Sequence, residues 1–102
     1  MTVHATAWKM TSDVSPEYAY RRPLRSSRPW CLSWLPGRLL LREEALAGME
    51  LDEFLSDPDL VHDSIAHAAI TDRADVLDIG WQDALLLLTE RMVARLRAAE
   101  VA

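Results

Sequence analysis

Trp81, Leu85, Leu88, Met92, Leu96 and Ala99 recur at intervals of three and four residues, a spacing that only an α-helix gathers onto one side. It predicts a last helix over roughly Ile79 to Ala99, with Arg91, Arg95 and Arg97 where cations suit the negative end of the helix dipole. Within it, Ala84 to Leu88 is the longest apolar run of the chain and puts leucine on every side of one turn. A helix apolar all round at one level is either the centre of a bundle or the bearer of a second contact surface, such as a dimer seam. With 102 residues there is material for one core, so the central position is the expectation.

Two further helices precede it. Leu40, Ala47, Leu51, Phe54 and Leu55 form an approximate apolar face through a first helix that runs from Arg42 onward, with Glu43 and Glu44 in its first turn complementing the dipole. Leu41 stands where a hydroxyl or carboxylate cap is usual. Ser56-Asp57-Pro58-Asp59 combines a cap, an early proline and an acid, which predicts a second helix over Pro58 to Ile70 that buries Val61, Ile65, Ala68 and Ala69. Thr71 to Gly80 is left as a connector, with Asp75 and Asp78 as rival caps for the last helix.

The front of the chain has no helical stripe. Pro16, Pro23 and Pro29 interrupt any regular element in residues 1–29, which are rich in Thr, Ser, Tyr and Arg and predict an extended arm. Val3 to Met10 alternates loosely and needs a neighbour before it becomes a strand. Trp30 to Leu35 alternates better, Pro36-Gly37 suits a turn, and Arg38 to Leu41 suits a short return strand. The fold class expected from these pieces is mainly α: an extended basic arm at 1–29, then a short strand or hairpin and a three-helix bundle at 30–102.

Charge divides the chain further on, between residues 42 and 43. Residues 1–42 hold seven cations against two acids, giving +5, while residues 43–102 hold four arginines against fourteen acids, giving −10. Such a split serves a partner or lets the front dock on the back. The densest cationic stretch is Arg21, Arg22, Arg25 and Arg28, flanked by Tyr18, Tyr20 and Trp30. Guanidiniums can follow phosphates while aromatic rings stack on bases. A −10 body opposes that approach, and this ranks nucleic acid as the alternative. The preferred partner is a protein, a second copy of this chain included, bound through Arg21, Arg22, Arg25 and Arg28 with Trp30 and Trp34. Tryptophans are core material by default; left open, that pair would be a natural anchor, since tryptophan and arginine dominate protein–protein hot spots.

Other chemistry finds little support. Ser26, Ser27, Ser33 and Cys31 sit in no nucleophile motif, and Gly37, Gly48 and Gly80 form no phosphate loop, so the expectation is a protein that is not an enzyme and has no cofactor. His62 and His67 point about 140° apart on a helix. Asp59, Asp63 and His67 share a face but lack a fourth ligand, so no metal site is expected. A helix-turn-helix reading of the first two helices fails on charge, because Asp57, Asp59, Asp63 and Asp72 would enter the groove. With no apolar run of membrane-spanning length, no secretion signal and one cysteine, the expected setting is cytoplasmic, without a membrane partner.

Ser33-Trp34-Leu35-Pro36-Gly37-Arg38-Leu39-Leu40-Leu41-Arg42-Glu43-Glu44-Ala45 and the helix that follows to Leu51 resemble a pattern in small uncharacterised proteins of actinobacteria and their phages. There a tryptophan-bearing strand ends in a Trp-Leu-Pro-Gly-Arg turn and enters a helix, with Thr common where this chain has Leu41. The resemblance covers about a fifth of the chain and implies a strand–turn–helix unit, with no activity attached.

Overall fold

Each strand pairs with the strand next to it in sequence. The computed structural model describes residues 2–23, 25–60 and 62–101. It contains β1 (Val3–Ala5), β2 (Lys9–Ser12), β3 (Ala19–Arg21), β4 (Trp30–Leu32) and β5 (Leu35–Leu40) in one antiparallel sheet of order β1-β2-β3-β4-β5. Then follow α1 (Arg42–Leu55), a single 3-10 turn at Pro58–Leu60, α2 (Ser64–Val76) and α3 (Trp81–Val101). This is an α+β fold, and the expectation of a mainly α protein with an extended arm is corrected. Most of the strands are only three or four residues long, too short for alternation to announce them alone. Their hydrogen bonds come from neighbours that one-dimensional reading does not supply. The boundary expected after Pro29 falls inside the sheet, since Arg21 pairs with Trp30 across it.

Alternation shows once the register is known. Met10, Ala19, Leu32 and Leu40 point to one face and are buried against α1, which touches all five strands. Lys9, Thr11 and Tyr20 point to the opposite, open face. The β4–β5 turn is Ser33-Trp34, not Pro36-Gly37, because the Trp34 side chain swings into the core and is 1% exposed. Pro36 and Gly37 lie within β5 instead. That strand is a sheet edge, where a missing N–H breaks no ladder.

α1, rather than the last helix, occupies the centre. It starts without a side-chain cap at Leu41, but the Glu44 carboxylate accepts the Leu41 backbone N–H at 2.8 Å, the reciprocal half of a capping box. Gly48 sits where α1 crosses β4. A Cβ there would overlap Leu32 Cδ1, so the glycine sets how closely helix and sheet approach. α2 starts later than expected, capped by Asp63, whose Oδ1 accepts from Ile65 N and Ala66 N at 2.9 and 3.3 Å. The shift rotates its faces: Ala66, Ile70 and Ala74 are buried, while Ile65 is 81% exposed and Ala68 is also exposed. Val61 lies outside the described residues. α2 ends in a Schellman motif, with Ile79 N–H donating to Ala74 O and Asp78 N–H to Asp75 O, and with Asp78 at φ 52°. α3 packs through Ala84 and Leu88, whereas Leu85, Met92 and Leu96 of the predicted face remain exposed.

Gly48→Ala is expected to destabilise the fold by up to about 2 kcal/mol in a denaturant titration, because overpacking costs roughly 1–3 kcal/mol and helix propensity returns about 1. Adding Leu32→Val should recover part of that loss.

Candidate nucleic-acid interface

The front half's exposed aromatic and cationic residues gather on the outer face of the sheet and at the end of β3, where Arg21, opposite Trp30, belongs to the inner row. Tyr18 precedes β3 and is held by its N–H donating to Ser33 Oγ at 2.9 Å and its carbonyl accepting from Ser33 N at 2.8 Å. Strand alternation then carries Tyr18 and Tyr20 to the same side, with ring centroids 6.1 Å apart. Lys9 is directly opposite Tyr20 in β2, and its Nζ stands 5.6 Å from the Tyr18 ring. At the β1–β2 turn Trp8 is 60% exposed, and the Arg21 guanidinium lies 5.0 Å from its ring centre. Arg22 opens the β3–β4 loop with its N–H on Pro29 O, and Arg25 is exposed in the same loop.

The acids of this half are committed elsewhere. Asp13 Oδ2 is 2.9 Å from His4 Nε2, and that contact raises the histidine pKa. Glu17 is 2% exposed on the inner side, where its carboxylate accepts from Arg91 Nε at 2.9 Å, Arg95 Nη1 at 2.8 Å and Ser33 Oγ at 2.7 Å. Burial alone would raise its pKa, but these donors outweigh burial and leave it below the ordinary value. Glu53 behaves alike: burial opposes ionisation, and Ser12 Oγ, Thr2 N and Thr2 Oγ1 together hold it below the ordinary value. Glu44 pairs with Arg28. Among the described residues no ion pair involves Lys9, Arg21, Arg22 or Arg25.

The expected site therefore divides. Arg21, Arg22, Arg25 and Arg28 are exposed, with Arg28 partnered, while Trp30 and Trp34 are buried under α1 and offer no surface. That half of the expectation is corrected, because Trp30 points to the inner face of β4 and Trp34 fills the core beside the turn. Trp8 and Lys9 were missed. Their adjacency, an aromatic ring followed by a cation, was the one available signal. Among the other candidates, Cys31 is buried, Ser33 is bound to Glu17, and Ser26 Oγ accepts from Arg28 N. The described residues hold no group of three His, Cys, Asp or Glu placed for a metal, and no helix long and apolar enough to cross a membrane. A cavity of about 440 Å³ beside Thr2, Val14, Phe54 and Pro58 also meets Glu53, whose oxygens already accept from Thr2 and Ser12.

Asp52 is the acid with an unmet need. It is 1% exposed, Ser56 Oγ reaches its Oδ1 only at 3.4 Å, and its Oδ2 has no partner among the described residues. Burial raises its pKa to about 6, with the Glu17 and Glu53 charges adding to the rise and the Ser15 and Ser56 hydroxyls opposing it. A carboxyl raised on folding is tolerated when protonated and destabilises once ionised, so its cost grows from pH 4 to pH 6 and is complete above. Asp52→Asn is thus expected to match the parent in stability near pH 4 and exceed it by about 3 kcal/mol at pH 7. Urea midpoints at the two pH values check this.

No family model, curated protein or solved structure matches this chain.

Proposed function

We propose that this protein is a non-enzymatic binder of single-stranded nucleic acid that uses the outer face of its sheet. The observation that carries the reading is the open cluster of Tyr18, Tyr20 and Lys9 on that face, with the exposed Arg22 beside it and the exposed Trp8–Arg21 pair at the end of β3, where the neighbouring acids are paired or buried. Rings on a rigid sheet suit unpaired bases, whose faces are accessible, better than a duplex. Arg25 extends the cationic edge along the β3–β4 loop.

The acidic body is less of an obstacle than the net charge suggests. The acids of α2 lie on the helical side of the sheet, beyond α1, and α3 meets the sheet half through Arg91 and Arg95 rather than through an acid. Exposed charges are screened over about 10 Å at 0.1 M salt, close to the thickness of one helix layer. A polyanion approaching the outer face meets mainly the local cations. A cytoplasmic setting belongs to this reading.

Fluorescence anisotropy with a labelled mixed-sequence oligonucleotide tests it. Single strands should bind more tightly than the matching duplex. With four phosphates neutralised by Lys9, Arg21, Arg22 and Arg25, raising salt from 50 to 200 mM should weaken binding about 50-fold. Tyr18→Ala or Tyr20→Ala should each cost about 1–3 kcal/mol of affinity. No binding at low salt, or equal affinity in both tyrosine variants and the parent, removes the reading.

A further inference from the structure

α3 carries a second surface that the nucleic-acid reading does not use. Leu85, Leu86, Met92, Val93 and Leu96 are all exposed, Leu96 to 60%. Around the helix they span an arc of roughly 120°, the width by which a globular helix normally buries itself. Nothing in the described chain covers this arc. Gln82, Leu85, Thr89, Met92, Leu96 and Ala99 within it follow strict alternating steps of three and four, the seam of a coiled coil.

We infer that this seam pairs with the α3 of a second copy in antiparallel orientation, making the protein a two-fold symmetric dimer. Two properties of the helix select that occupant. First, the seam reads the same in both directions. Rotation about a point between Glu90 and Arg91 places Leu85 on Leu96, Thr89 on Met92 and Gln82 on Ala99 of the second copy, and each pair occurs twice. That is the condition for an isologous interface. Leu86 then falls close to Val93 of the second copy, so one flank of the seam is apolar as well.

Second, the charges are polar along the helix. Residues 78–90 hold Asp78, Asp83 and Glu90 without a cation, and residues 91–101 hold Arg91, Arg95 and Arg97 against Glu100 alone. Antiparallel pairing lays each acidic half over the other copy's half that carries Arg97, with Arg91 and Arg95 drawn to their own Glu17, and opposes the two helix dipoles. Parallel pairing would stack like on like. Arg91 and Arg95 stay bonded to Glu17 at the flank facing their own sheet, so the seam forms without dismantling the monomer.

The test uses the full chain without nucleic acid. Sedimentation velocity from micromolar to about 100 µM should show twice the 11.5 kDa chain mass at the upper concentrations. Leu96→Glu, at a position already exposed, should keep the circular dichroism spectrum and raise the dimer dissociation constant more than about 100-fold. A monomer throughout, or a dimer indifferent to Leu96→Glu, overturns the inference. Orientation is read by oxidative cross-linking, with Cys31 buried and left in place. The Leu85→Cys/Leu96→Cys double variant should form a covalent dimer, while Leu85→Cys alone should not. In antiparallel pairing residue 85 is about 16 Å along the axis from its own copy. Cross-linking of the single variant as readily as the double overturns the antiparallel geometry.

Discussion

A carboxylate almost shut off from water holds the two halves of this protein together. Glu17 projects inward from the loop before β3 and takes hydrogen bonds from Ser33 in the β4–β5 turn and from Arg91 and Arg95 on α3. A buried charge is costly unless paired and hydrogen-bonded, and here both requirements are met by three side chains from two separate segments. The arginines keep about two fifths of their side-chain surface exposed, so they are less dependent on the carboxylate than it is on them. Removing them would strand a charge indoors, whereas removing Glu17 would leave two cations that can turn to water.

The same bond decides how the charge split is used. With Glu17 drawn inward, Asp13 on His4 and Glu44 on Arg28, the positive leader is stripped of its local acids exactly where its rings emerge. Sheet and helices are one body, and yet the split survives as two faces. α1 stands between the sheet and α2, and its close approach at Gly48 keeps the layers in contact.

Periodicity made the helices legible and pairing hid the sheet. α3 was visible because its pattern repeats over five turns; α1 was visible for the same reason, with boundaries within a residue or two. α2 was displaced because Ser56-Asp57-Pro58 is a convincing start signal that closes only a 3-10 turn, while Asp63 makes the actual cap. The sheet rests on partners distant in sequence, and Pro36-Gly37 mimics a turn that Trp34 pre-empts by entering the core. Of the interface, the arginines and tyrosines were legible as composition. Lys9 and Trp8 joined them only through register, and Glu17 carried no local sign of burial.

The strand order has a consequence for how the chain acquires its shape. Successive neighbours in a meander need only short loops, so β1 to β5 and α1 can assemble from contacts close in sequence, a topology associated with rapid folding. The union of Glu17 with Arg91 spans 74 positions and requires the last helix. On a ribosome, the sheet and its covering helix would emerge before α3, leaving the carboxylate without its guanidiniums until that helix appears.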